Sequence, residues 1–157
     1  MHSLRRSSIR LGWLAFISLA IALLLSSVSE AAEPEIFTGR SNLALKGYDT
    51  VAYFEQGEAV KGNKDLSSEH KGATWTFSST SNKALFDANP EGYMPQYGGY
   101  CAWAMAQGNV VKSNPKVWYI EDGLLYLNVS KGIQKKWLAN MAEFIEQADA
   151  NWPGALE

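Results

Sequence analysis

The centre of the chain is the stretch Tyr97-Gly98-Gly99-Tyr100-Cys101-Ala102-Trp103-Ala104-Met105-Ala106-Gln107-Gly108, which holds the only cysteine. Its alanines and the closing glycine predict a short helix, in which residues four apart project from the same face. Cys101 and Met105 would then bring a thiolate and a thioether together, and these soft donors suit Cu(I). The alternative is tight core packing, because Cys and Met are both commonly buried.

The residues around this cysteine combine glycines with large aromatic side chains. A Gly-Gly pair allows positive φ or a close approach of the backbone to a ligand. The aromatic rings would shield a metal ion held by Cys101 and Met105, or line a pocket for a small ligand. We therefore predict a cofactor-binding surface made by Tyr97, Gly98, Gly99, Tyr100 and Trp103.

The first 31 residues have the pattern of an export signal. Three arginines, the last of them Arg10, precede an uncharged apolar run over residues 11–29. Small residues at Ser29 and Ala31 fit cleavage after Ala31. An uncleaved membrane anchor is the alternative, because the run is close to the roughly 20 residues that span a bilayer. We expect cleavage, a secreted, periplasmic product, and no stable membrane insertion afterwards.

The mature chain is mildly acidic. Of the 14 basic and 16 acidic residues, removal of residues 1–31 takes three Arg and one Glu, which leaves 11 and 15 and a net charge of −4. The linear sequence shows no basic cluster or stripe, so neither nucleic acid nor an anionic membrane is an expected partner. With no second cysteine and no paired base visible beside Cys101, we expect a protein that is not an enzyme.

Residue patterns predict an α+β fold. We expect a small single domain of antiparallel strands and hairpins, packed with a short central helix and a longer C-terminal amphipathic helix. We expect residues 32–42 to be a flexible lead-in, residues 43–153 to form the domain and residues 154–157 to be a tail. The predicted elements are strands at 47–54 and 73–78, a polar connection to Gly72, a helix over 82–88, a hairpin of 117–120 and 124–128, and one long helix after Ser130.

Three pieces of the chain are similar to the YHS domain family, in the form found in small exported bacterial proteins. The similarity runs from about Leu43 to Pro153. The pieces are Gly47-Tyr48-Asp49-Thr50-Val51-Ala52-Tyr53-Phe54, then Trp75-Thr76-Phe77-Ser78 with Asn82, Phe86, Pro90 and Tyr93, and finally Tyr97-Gly98-Gly99-Tyr100-Cys101-Ala102.

This resemblance implies a small α+β domain that binds metal, because the family is associated with proteins that handle copper and heavy metals. Many metal-associated members carry a cysteine in the opening motif, where this chain has Asp49-Thr50-Val51-Ala52-Tyr53. Cys101 is then either a substitute ligand or an unrelated feature of the exported subgroup. Tetrahedral zinc is not expected, since structural zinc sites take four Cys or His ligands.

The leading hypothesis is an exported, non-enzymatic module that holds or relays copper or a similar soft ion through Cys101, alone or with an envelope protein as partner. Met94, Met141 and His70 are possible further ligands, although the polar surroundings of His70 favour a solvated loop position.

The alternative is a domain that binds a small molecule, haem or a protein segment in an aromatic pocket. Cys101 would then be structural or an axial ligand.

Overall fold

The chain folds from two antiparallel hairpins and a set of mostly short helices. The computed structural model describes residues 32–39 and 41–157, and the predicted export signal lies outside these residues. The α+β class is confirmed. The described elements are α1 (Thr50–Glu55), β1 (Asn63–His70), β2 (Ala73–Phe77), α2 (Thr80–Ala88), α3 (Pro90–Tyr93), α4 (Ala102–Ala106), β3 (Trp118–Glu121), β4 (Leu124–Leu127), α5 (Lys131–Ala139), α6 (Met141–Asn151), and 3-10 turns at Leu45–Gly47, Gln96–Gly99 and Gly154–Leu156.

The two hairpins follow the alternation and the turn signals of the sequence. β2 buries Trp75 and Phe77 from alternate positions, as the period of two predicts. β3 and β4 pair in register about Asp122 and Gly123, which both have positive φ, as a tight hairpin turn requires.

The strand β1 was not expected from the sequence. The polar run over 63–70, predicted as a connection, is instead a strand paired antiparallel with β2, and much of it is exposed.

The strand predicted at 47–54 is wrong, because most of this segment is the helix α1. The carboxylate of Asp49 accepts hydrogen bonds from the backbone N–H of Val51 at 2.9 Å and of Ala52 at 3.3 Å. An aspartate in this N-cap position satisfies the free N–H groups of a first helical turn. This local cap, together with burial of the helix, outweighs the β propensity of the valine and the aromatic residues that follow.

The single long helix predicted after Ser130 is divided into α5 and α6. Asn140 leaves the helical conformation at φ −146° and ψ 48°. Its side-chain amide donates to the carboxylate of Glu143, and such a local side-chain bond competes with helical hydrogen bonding. On the apolar side of the two helices, Trp137 and Ala148 are fully buried, and Ile133, Met141, Phe144 and Ile145 are partly buried.

The interior consists of two clusters of buried side chains that meet at β4. Leu125 and Leu127 belong to the first cluster, with the residues of β2 and α2, and Tyr126 points into the second. Successive side chains of a strand face opposite sides, so one strand can serve both clusters. The second cluster contains Met105 and Trp137 and adjoins the predicted site. Residues 32–157 form one compact unit.

No helix within residues 32–39 and 41–157 is long and apolar enough to cross a membrane.

Candidate functional site

The glycine turn before Cys101 has a left-handed backbone, one of the two alternatives that the Gly-Gly pair allowed. Tyr97, Gly98 and Gly99 have φ values of 54°, 59° and 86°. A Cβ atom placed on Gly98 would lie 1.7 Å from the carbonyl oxygen of Glu35. The close approach at this glycine is therefore to another segment of the chain.

That segment is residues 33–37, which we call the N-terminal strap. The N–H of Phe37 donates to the Gly98 carbonyl at 2.8 Å, and the N–H of Glu33 donates to the Leu156 carbonyl at 2.9 Å. The Tyr100 hydroxyl donates to the carbonyl of Pro34 at 2.9 Å. Ile36 and Phe37 are buried. The strap thus joins the glycine turn to the C-terminal end of the chain.

Cys101 lies where the turn passes into helix α4 and has no exposed surface. Its carbonyl accepts the N–H of Met105 at 2.9 Å, the first hydrogen bond of the helix, and its own N–H donates to the Val111 carbonyl at 2.9 Å. The thiol donates to Oδ1 of Asn128 at 3.6 Å, a long contact consistent with a weak S–H donor. Both the short helix and its start beside Cys101 agree with the sequence.

Met105 is also without exposed surface and packs in the second core cluster. The amide of Asn151 on α6 donates to the carbonyls of Met105 and Ala106 at 2.9 and 3.3 Å. These bonds satisfy the end of α4 and hold it against α6. The cysteine and the methionine therefore lie one helical turn apart in a buried setting. This arrangement suits a pair of soft donors and also suits plain core packing.

Asn128 is the member of this neighbourhood that the sequence did not reveal. It is fully buried, and its Oδ1 accepts the N–H of Trp103 at 3.3 Å as well as the thiol of Cys101. Its Nδ2 has no hydrogen-bond partner among the described residues. Asn128 directly follows the apolar run of β4, a polar residue after a buried strand, and that position is the one signal that could have identified it.

The predicted aromatic residues Tyr97, Tyr100 and Trp103 have different surroundings in the fold. Tyr97 donates to Oδ1 of Asp149 at 2.8 Å, and burial together with this bond raises the pKa of its hydroxyl. Burial and the charge of Glu33 raise the pKa of Tyr100 to about 12. Trp103 is half-buried, with the Lys136 ammonium 5.9 Å from its ring centre.

A small cleft lies on the other side of the glycine turn. Its volume is about 140 Å³, and its walls include Tyr97, Gly98 and Trp152 together with the charged residues Glu35, Lys71 and Glu91. Lys71 contacts Glu35 at 2.8 Å and Glu91 at 3.7 Å. Gly99, Tyr100, Cys101, Trp103 and Met105 do not line this cleft. Of the five predicted cofactor-binding residues, Tyr97 and Gly98 therefore line this cleft.

The further metal ligands considered in the sequence, His70, Met94 and Met141, lie in different parts of the fold. His70 lies 3.1 Å from a carboxylate oxygen of Glu91 and edge-on to Phe86. Met94 packs in the first core cluster, and Met141 packs against the edge of the second. No group of three or more His, Cys, Asp or Glu side chains that could hold a metal occurs in the described part of the chain. Cys101 and Met105 are soft donors in chemical type, and two such residues do not make a four-ligand zinc site.

The fold and this site define a small α+β domain with one buried thiol at a glycine turn. The model of the YHS domain family matches residues 51–97, which confirms the resemblance over this part of the chain. YHS domains are a family associated with metal handling. Cys101 and Met105 lie beyond the matched residues. No curated protein and no solved structure gives a significant match to the chain.

Proposed function

We propose that the protein is an exported, non-enzymatic module of the periplasm that holds or relays copper as Cu(I) through Cys101. The observation that carries this proposal is the position of Cys101 and Met105, one helical turn apart and both fully buried. A thiolate and a thioether are donors that Cu(I) prefers. The family's association with metal handling supports the same class of function.

The burial of both sulfur atoms has consequences for how the site works. Only the thiolate is a strong ligand, so binding requires loss of the thiol proton and ends the hydrogen bond from Cys101 to Asn128. Access requires local opening of helix α4, which the two bonds from Asn151 hold in place. Slow loading and slow release are therefore expected, as suits a protein that passes the ion to an envelope partner.

The test is an anaerobic titration of Cu(I) against a competing chromophoric chelator, with the chain from Ala32 onward under reducing conditions. The parent is expected to bind one equivalent, Cys101→Ala to lose this binding, and Met105→Leu to bind more weakly. Met141→Leu is the matched control, because Met141 lies only at the edge of the second core cluster. A Cys101→Ala protein that binds Cu(I) as tightly as the parent overturns the proposal.

The cleft beside Tyr97 and Gly98 favours a second candidate, a binding domain in which Cys101 is only a core residue. Its volume of about 140 Å³ is below the roughly 300–1,000 Å³ of typical small-molecule sites. That size favours a small charged group or a partner's side chain over haem. Under this candidate, Cys101→Ser leaves every binding assay unchanged, and haem titration of the parent produces no Soret band that depends on Cys101 or His70.

A further inference from the structure

Two lysines that are distant in the sequence lie over the ring of Phe37 in the N-terminal strap, and a third contacts the backbone of one of them. The ammonium groups of Lys46 and Lys112 lie 5.5 and 6.0 Å from the centre of the same ring, that of Phe37. The ammonium of Lys61 lies 2.6 Å from the carbonyl oxygen of Lys46 and 4.3 Å from the centre of the Tyr48 ring. We call Lys46, Lys61 and Lys112 the lysine cluster.

The positions of these ammonium groups are held by uncharged partners. Lys46 donates to the carbonyl of Ser113 at 3.1 Å, and Lys61 donates to the carbonyl of Lys46. Lys46 itself has a positive φ of 54°, a conformation that is uncommon outside glycine. Because an ammonium carries three N–H donors, each of these two lysines keeps two donors that these bonds do not use.

The cluster also lacks a neutralising charge within the described residues. All three lysines are exposed, and none forms an ion pair with a carboxylate, although Lys71 and Lys83 do. An anion beside these ammonium groups is attracted to them, and no ion-paired carboxylate among the described residues competes with it. The mature chain is acidic as a whole, so this positive region is a local product of the fold.

We propose that the lysine cluster binds an oxyanion of the phosphate class, either as free phosphate or as the headgroup of an anionic lipid. Lysine is a common phosphate ligand because its compact ammonium donates to several oxygens. The carbonyl bonds and the aromatic rings restrain the ammonium groups before any anion arrives, which reduces the ordering cost of binding. This site is separate from Cys101 and does not depend on metal binding there.

The test follows backbone amide signals by NMR while sodium phosphate is added to the chain from Ala32 onward, with sodium chloride at equal ionic strength as reference. Saturable shifts are expected at the three lysines and at Ser113. The triple variant Lys46→Gln, Lys61→Gln, Lys112→Gln is expected to bind about tenfold more weakly or worse, as loss of several exposed charge pairs implies. The control triple Lys131→Gln, Lys135→Gln, Lys136→Gln changes the net charge equally and is expected to bind like the parent.

Vesicles of phosphatidylglycerol, with phosphatidylcholine vesicles as reference, distinguish a lipid headgroup from free phosphate. Saturable binding in either arm that the cluster variant loses and the control triple keeps supports the site. The proposal is overturned if the two triple variants lose binding equally. It is also overturned if the parent shows saturable binding neither to phosphate nor to phosphatidylglycerol vesicles. Thermal midpoints check that each variant folds, and the single change Lys112→Gln replaces the triple if the triple does not fold.

Discussion

Asp49 is a buried carboxylate that links three segments of the chain by hydrogen bonds. It has no exposed surface, and its carboxylate accepts hydrogen bonds from three segments. One oxygen caps α1, and the other accepts the N–H and hydroxyl of Ser78 at 2.7 and 2.6 Å and the amide of Asn82 at 2.7 Å. A buried carboxylate is tolerated where hydrogen bonds of this kind replace water. Asp49 therefore links α1 to the end of β2 and to α2.

Replacing Asp49 by alanine is expected to destabilise the protein by about 3 kcal/mol or more, because several buried donors lose their acceptor at once. Urea unfolding followed by circular dichroism measures the change. Asp65→Ala is the matched control, since Asp65 is exposed on β1 and its carboxylate takes part in none of these bonds. Equal unfolding midpoints for the two variants would show that the Asp49 carboxylate does not hold these segments together.

At the scale of elements, the N-terminal strap and the glycine turn depend on each other. The turn needs a left-handed backbone, and the strap needs the space that a side chain on Gly98 would fill. The strap in turn supports the residues that lead into α4. A short helix such as α4 has little stability of its own, so its position depends on these neighbours and on α6.

Gly98→Ala is expected to cost about 2 kcal/mol more than Gly57→Ala, because both changes strain a positive φ but only the first also creates a clash. Gly57 has a φ of 67° with open space around its Cα, whereas a Cβ on Gly98 meets Glu35. Thermal unfolding gives the two stabilities, and hydrogen exchange at the Phe37 amide reports release of the strap. The interpretation fails if exchange at Phe37 is unchanged in Gly98→Ala.

At the scale of the whole molecule, both core clusters contain buried tyrosines: Tyr53 lies in the first, and Tyr97, Tyr100 and Tyr126 lie in the second. Burial raises the pKa of Tyr53, Tyr97 and Tyr126 above the usual value and that of Tyr100 to about 12. In each case the folded protein keeps the phenol proton that the unfolded chain releases near pH 10.0. The folded state therefore binds more protons above that pH, and its stability falls as the pH rises.

Below about pH 10 the tyrosines stay protonated and are expected to leave the free energy of unfolding unchanged. Between about pH 10 and 12 the free energy of unfolding is expected to decline. Urea unfolding at a series of alkaline pH values measures the decline, and phenolate absorbance reports ionisation at the same time. Tyr97→Phe removes one of the groups and should make the decline shallower, whatever its effect on stability at neutral pH. Ionisation of all the tyrosines near pH 10 without loss of stability would contradict this prediction.

Several elements were predictable because short-range patterns encode them. Trp75 and Phe77 alternate with polar residues, Asp122 and Gly123 mark a hairpin turn, and both features appear in the structure. The errors arose where one local bond competed with a propensity. Asp49 starts a helix in a segment of strand-forming residues, and Asn140 interrupts an otherwise continuous amphipathic pattern. For the site, the sequence predicted the spacing of Cys101 and Met105 but not the hydrogen bond from the Cys101 thiol to Asn128.

The sequence by itself determined the α+β class, the YHS resemblance, the tolerance of the Gly98-Gly99 pair for positive φ and the four-residue spacing of the two sulfur residues. These features depend on neighbours within a few positions, whose relative geometry the backbone dictates. The tertiary structure alone decided the docking of the strap on Gly98, the partner of the thiol and the gathering of Lys46, Lys61 and Lys112. Residues so far apart in the chain come together only through packing of the core, which no local pattern specifies.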